Sequence, residues 1–179
     1  MSGPWRPGRK RADSAAMIRV DQAGEYGATR IYAGQLAVLR PSSPAAKLIS
    51  RMAIQEQRHL ERFNQLVAER GVRPTALQPM WNVAGYALGA VTALISPDAA
   101  MACTDAVETE IDLHYQSQLE ELGEDDPELS ADIAEFRAEE LEHRDTARAA
   151  GAEKAIGYPL LTGGIRAACR VAIALSKRV

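Results

Sequence analysis

The sequence predicts an all-α chain whose four long helices form a bundle of two hairpins joined by one long crossover. Three observations lead there: a composition that favours helix, a repeated set of helix start and stop signals, and polar residues that interrupt the apolar stripes of the helices at matching positions. Of 179 residues 46% are apolar but only 5% aromatic, and Ala, Leu, Glu and Arg are frequent, which argues against a sheet core of aromatic and β-branched residues. The length suits one compact domain. A charged fraction of 25% excludes the disordered and fibrous classes. With 24 acids against 21 bases the net charge of −3 excludes nucleic acid as a partner. Three histidines and two cysteines rule out a structural zinc ribbon, so any metal site must rely mainly on carboxylates. Cys103 and Cys169 are expected to be free thiols.

The elements follow in order. Residues 1–13 hold Trp5, Pro7 and the basic run Arg9, Lys10, Arg11 without the apolar stretch of a secretory signal, and are read as a disordered basic tail; residues 14–179 form the single domain. α1 is predicted over residues 14–39 and stops before Pro41. Ser43 followed by Pro44 reads as the N-cap and first residue of α2, which ends near Arg70 with Gly71 as its stop. An uncharged α3 is expected over residues 81–95. Ser96 and Pro97 open α4, which ends at Gly123; Asp126 and Pro127 open α5, which ends before Gly151. α6 is expected over residues 160–178. Short links make α1/α2 and α4/α5 antiparallel neighbours, while the 27 residues of 71–97 are enough to cross a bundle end to end. Two hairpins with one crossover, plus an extra apolar helix in that crossover and an amphipathic C-terminal helix, is a ferritin-like arrangement.

On α5 the apolar stripe Leu129, Ile133, Phe136 continues onto Glu140 and His143, so a carboxylate and an imidazole face the core. On α2 the stripe Leu48, Met52 continues through Glu56 and His59 to Phe63 and Leu66. α1 carries Ile18, Glu25, Tyr32 and Leu39 seven apart on one face, and α4 carries Met101, Thr104, Glu108, Ile111 and Tyr115. Burying four carboxylates together costs several kcal/mol each unless they are neutralised. A shared cation does this, and four Glu with two His in the order Glu, Glu-x-x-His, Glu, Glu-x-x-His matches a di-iron or di-manganese site in a four-helix bundle. Glu139 and Glu142 lie about 100° and 200° around the helix from Glu140 and are expected to face solvent.

At these residues the chain resembles the demethoxyubiquinone hydroxylase family of ubiquinone biosynthesis. The resemblance is carried by MIRVDQAGEYGATRIYAGQ (17–35), RPTALQPMWNVAGYALGAVTAL (73–94), MACTDAVETEIDLHY (101–115), EELEHRD (139–145) and CRVAIALS (169–176). It implies two iron ions, cycling between Fe2+ and Fe3+, at Glu25, Glu56, His59, Glu108, Glu140 and His143, and O2-dependent hydroxylation of a polyprenyl demethoxyubiquinone ring, the penultimate step of the pathway. It further implies NADH as electron donor, with His114 and Tyr115 as a redox relay, although one residue's separation on a helix turns the two side chains about 100° apart. Implied partners are the quinone, an anionic membrane surface, a second copy of the chain, a lipid-binding accessory protein and other enzymes of the pathway. The implied location is the cytoplasmic face of a bacterial inner membrane, or the matrix face of the mitochondrial one. The alternative functions are a di-iron ferroxidase or storage bundle and a scaffold for quinone biosynthesis.

Residues 74–97 carry no charge, but their apolar part, 83–95, is too short to span a membrane. α3 is therefore expected in the core or at a membrane interface. On α6, Ile165, Cys169, Ala172 and Leu175 form an apolar face and Arg166, Arg170 and Lys177 another, the layout of a helix lying on anionic lipid. Gly85 and Gly89 would let α3 approach another helix closely, in this chain or a second subunit. α3 and α6 are expected to form a doorway for the quinone.

Overall fold

A computed structural model describes residues 12–178. The observed elements are α1 (Ser14–Val38), α2 (Pro44–Glu69), α3 (Gln78–Ile95), α4 (Pro97–Leu122), α5 (Pro127–Ala149) and α6 (Tyr158–Ser176), with a 3₁₀ turn at Ala152–Lys154. Among the described residues there is no strand, and the all-α, ferritin-like bundle is as expected. Of the expected tail, residues 1–11 lie outside the described residues. Ala12 and Asp13 belong to the helical frame: Asp13 caps α1 by accepting from the Ala16 amide at 3.0 Å, and the Ala12 amide donates to Asp125 Oδ2 at 3.2 Å.

The start signals act as expected. Ser43, Ser96 and Asp126 each accept a hydrogen bond from the amide three residues on, and each is followed by Pro, whose missing N–H costs nothing at a helix start. α3 begins three residues earlier than expected, with Pro79 in its first turn. α6 begins at Tyr158 after Gly157, whose φ of 70° suits a residue without Cβ.

One apolar cluster joins Tyr32, Leu39, Ile49, Met52, Met101 and Ala147 at one end of the bundle; a second joins Met17, Ile18, Phe63, Leu66, Leu122 and Ile133 at the other. These groupings pair the start of α1 with the end of α2, and the start of α4 with the end of α5, so both hairpins are antiparallel. They also leave the end of α2 and the start of α4 at opposite ends of the bundle. The crossover must cover that length, and the 18 residues of α3 span about 27 Å at 1.5 Å each.

α3 packs chiefly along α1. The contact is backbone to backbone: a Cβ on Gly34 would overlap the Tyr86 carbonyl, and one on Gly89 the Ile31 carbonyl. The close partner of Gly85 and Gly89 is thus α1 of the same chain. α6 packs on α4, and Trp81 Nε1 donates to Ser176 Oγ at 3.0 Å, tying the start of α3 to the end of α6.

The orientation of α6 differs from expectation. Ile165 is buried against Cys103 and Val107, and Cys169 and Ala172 also turn towards the bundle, because α4 offers an apolar groove there. Arg166 and Arg170 are engaged by buried Glu110 Oε1 at 2.6 and 2.8 Å. Of the expected face only Leu175 is exposed, and the exposed apolar side chains also include Leu160 and Val171 of α6 and Val83, Val91 and Leu94 of α3. Among the described residues no helix is long and apolar enough to cross a membrane. Cys103 and Cys169 are free thiols.

Asp126 ties α5 to α2. It accepts from the Leu129 amide and receives the Arg70 guanidinium, whose Nη2 lies 3.3 Å from Oδ1. Partial burial pushes its carboxyl up, but the bonds from Arg70 and Leu129 outweigh this and hold it below the usual range. A depressed pKa contributes stability above the unfolded value that is lost as pH falls through the folded one. Asp126→Ala should therefore cost about 1–2 kcal/mol at neutral pH, with the difference from wild type shrinking below about pH 4, as measured by urea unfolding across pH.

Candidate metal centre

The six expected ligands come from four helices: Glu25 from α1, Glu56 and His59 from α2, Glu108 from α4, Glu140 and His143 from α5. None is more than 2% exposed. The three-residue spacing of each Glu-x-x-His places both side chains on one helix face. The ligand atoms fall into two groups, Glu25, Glu56, His59, Glu140 and Glu56, Glu108, Glu140, His143, with the atoms of each group within 4.8 Å of one another. Glu56 and Glu140 belong to both groups. Glu25 and His59 belong to the first group alone, and Glu108 and His143 to the second alone.

The individual distances agree with this. His59 Nδ1 lies 3.1 Å from Glu140 Oε1 and 3.5 Å from Glu25 Oε2, and His143 Nδ1 lies 3.1 Å from Glu56 Oε1 and 3.0 Å from Glu140 Oε2. Burial leaves Glu25 Oε2, both oxygens of Glu56, Glu108 Oε2, Glu140 Oε1 and His59 Nδ1 without a hydrogen-bond partner, the His59 contacts being out of alignment. Orphaned acceptors of this kind are costly. Carboxylate oxygens and imidazole nitrogens converging in pairs fit two divalent metal ions of the iron or manganese type.

Burial, reinforced by mutual repulsion, pushes Glu56 and Glu108 well above the usual carboxylate range, and burial also raises Glu140. Burial pushes His59 down, but Glu140 and Glu25 prevail and lift it to about 11. His143 is held below its usual value, chiefly by burial.

Around the ligands, two tyrosines act crosswise between α1 and α4. Tyr32 donates to Glu108 Oε1 at 2.6 Å, and Tyr115 donates to Glu25 Oε1. Each tyrosine stands seven residues after the candidate ligand Glu of its own helix and holds the candidate ligand Glu of the other. His114, the other member of the expected relay, bonds Asp21 Oδ1 through Nε2 at 3.1 Å, an oxygen also taken by Gln118. Its ring centroid is 6.1 Å from that of Tyr115, and its hydrogen-bond partner is Asp21 rather than one of the six ligands.

Glu142 is exposed as expected, but Glu139 is not a solvent-facing acid. Its Oε2 lies 2.8 Å from His59 Nε2, and Arg58 holds its Oε1. On the other side Gln55 Oε1 lies 3.0 Å from His143 Nε2. Gln55 escaped the sequence reading, Glu139 was read as facing solvent, and Tyr32 was placed on the inward face of α1 without a role. The signal available was positional: Gln55 and Glu139 each immediately precede the Glu of a Glu-x-x-His motif, yet each acts on the histidine of the opposite helix, which helix periodicity alone cannot reveal.

A cavity of about 180 Å³ lies between α1, α3, α4 and α6. Its walls include Gly24 and Ala28, which bracket Glu25 in sequence, and Val107 and Ile111, which bracket Glu108; Gly85 and Ala172 come from α3 and α6. The walls are almost wholly apolar.

Raised carboxyl pKa values in the metal-free fold mean stability that is fully present below the unfolded values and lost as pH rises through the folded ones. Metal ions relieve that loss and compete with fewer protons at higher pH. Adding Mn2+ to the metal-free protein should raise Tm more at about pH 7.5 than at about pH 5 in scanning calorimetry; an equal rise at both would contradict this account of the core.

The family of the ubiquinone biosynthesis protein COQ7 matches residues 12–176. A 3-demethoxyubiquinol 3-hydroxylase of Rhodospirillum rubrum is 54% identical over 162 residues, covering 90% of this chain and 76% of the relative. An NADPH-dependent 3-demethoxyubiquinone 3-hydroxylase, mitochondrial, of Homo sapiens is 51% identical over 173 residues, covering 94% and 79%. A 5-demethoxyubiquinone hydroxylase, mitochondrial, of Saccharomyces cerevisiae is 45% identical over 179 residues, covering 91% and 77%. The chain accordingly belongs to the COQ7 family of ubiquinone biosynthesis proteins, that of the demethoxyubiquinone hydroxylases.

Proposed function

We propose that the chain is a membrane-associated di-iron monooxygenase that hydroxylates the ring of a polyprenyl demethoxyubiquinone or demethoxyubiquinol with O2, in the penultimate step of ubiquinone biosynthesis. The observation that carries this reading is the pair of ligand groups sharing Glu56 and Glu140 beside an apolar cavity. Iron, when bound, supplies O2 activation and the oxidising power for the ring carbon. Glu25, Glu56, His59, Glu108, Glu140 and His143 would hold the two ions. Tyr32 and Tyr115 fix the outer oxygens of Glu108 and Glu25, so that these carboxylates keep one geometry.

The cavity walls do the rest. Gly24, Ala28 and Gly85 leave room for a flat ring, and Val107 and Ile111 exclude water beside Glu108. Reducing equivalents come from a nicotinamide, NADH or the NADPH of the relatives' names, with His114 and Tyr115 as the relay; Tyr115 is the member in contact with a ligand. A ferroxidase or storage bundle would need the same six ligands but no apolar cavity next to them, and a scaffold would need neither.

A polyprenyl quinone reaches such a cavity from a bilayer. Exposed Val83, Val91 and Leu94 of α3 and Leu160 and Val171 of α6 belong to the two helices that flank it, and support a seat on the membrane surface. The corresponding locations are the cytoplasmic face of a bacterial inner membrane or the matrix face of a mitochondrial one. A second copy, a lipid-binding accessory protein or other enzymes of the pathway would meet the protein there.

Glu108→Ala should abolish ring hydroxylation and the coupled di-iron Mössbauer signal that the wild-type protein gives after reduction and exposure to O2; retained turnover would refute the catalytic assignment. In flotation with anionic liposomes at low salt the wild type should rise with the vesicles and Val83→Glu/Leu94→Glu should remain below. A wild type that stays in the soluble fraction would refute the membrane seat.

A further inference from the structure

The two Glu-x-x-His motifs are related by an approximate two-fold exchange of the hairpins, and the exchange extends beyond the ligands. Gln55 precedes Glu56 on α2 and reaches His143 on α5; Glu139 precedes Glu140 on α5 and reaches His59 on α2. The tyrosines obey the same exchange, Tyr32 to Glu108 and Tyr115 to Glu25. At one position it fails chemically: the acceptor behind His143 is a neutral amide and the acceptor behind His59 is a carboxylate.

Resting on the di-metal reading above, we infer that this pair makes the two metal sites unequal, with Glu139 and Gln55 as positioning residues that set the difference. A carboxylate oxygen and an amide oxygen both only accept. Each histidine coordinating through Nδ1 therefore keeps its proton on Nε2 and presents a lone pair to the carboxylates. An anionic acceptor draws more strongly on that proton and raises the donor strength of the imidazole beyond what an amide achieves. Arg58, shared with Glu135 at 3.2 Å, holds Glu139 Oε1 and leaves Oε2 aimed at His59. Glu139 is thus held in place rather than free to swing into solvent. The ion held by Glu25 and His59 binds first and tightest, and the ion held by Glu108 and His143 is the exchangeable one.

The exchange of Gln and Glu is isosteric, which makes the inference testable without opening the core. Metal-free protein is titrated with Mn2+ by calorimetry, with Mn2+ electron paramagnetic resonance counting isolated and coupled ions. Wild type should show two phases whose dissociation constants differ by about tenfold or more, the usual effect of an outer hydrogen-bond partner on metal affinity. Glu139→Gln should weaken the tight phase and close the gap. Gln55→Glu should close it from the other side by strengthening the weak phase, and the double exchange Gln55→Glu/Glu139→Gln should restore a separation. Melting temperatures of the metal-free variants close to that of wild type would show that folding is not what changed. If both single variants leave the gap intact, or move both phases alike, the inference is wrong while the di-metal reading stands. A wild type that binds fewer than two Mn2+ defeats both.

Discussion

Everything in this protein is arranged around the cost of placing four carboxylates in the centre of a helical bundle. Glu25, Glu56, Glu108 and Glu140 are each at most 1% exposed, and burial with mutual repulsion drives up the pKa of three of them. An apolar core could not tolerate them as unpaired anions. The His143 imidazole and two tyrosine hydroxyls occupy only some of their lone pairs, and unpartnered oxygens lie close to one another. The arrangement is stable as a charged cluster only if positive charge enters it, and metal ions are the charge that these donors suit.

The bundle makes such a centre possible by layering. Apolar clusters seal both ends, so the polar layer between them is dry and its electrostatic interactions are strong. Antiparallel hairpins bring α1 beside α2 and α4 beside α5 and set their ligands at one level. The crossover that this topology demands then serves a second purpose. α3 lies so close to α1, through Gly34, Gly85 and Gly89, that it walls a cavity whose lining includes the sequence neighbours of Glu25 and Glu108. The acidic excess of the chain is in part an interior property: once four acids are assigned to the centre, the rest are nearly balanced by the 21 bases.

Much of this was legible in the sequence because helices obey short-range rules. The caps at Ser43, Ser96 and Asp126 are local hydrogen bonds between neighbours in the chain, so their signals marked helix starts to the residue. A stripe of period 3.6 reads out which side chains face inward, and it picked out all six ligand candidates without reference to any fold. The errors arose where a helix had to choose a partner. Ile165 and Cys169 of α6 were read as facing lipid because the apolar face of a helix does not say what will cover it; α4 covers it. Glu139 was read as solvent-facing because its angle from Glu140 was taken within one helix, whereas α2 brings His59 and Arg58 to meet it.

The sequence by itself thus determined the helices, their order, their pairing into hairpins and the identity of the inward polar residues, since each depends on spacing along one chain segment. Only the tertiary structure decided which carboxylates are shared by both ligand groups, which tyrosine holds which glutamate, and that Gln55 and Glu139 stand behind opposite histidines. Those relations join atoms 76 to 90 positions apart, and no local periodicity carries information about distances that packing alone sets.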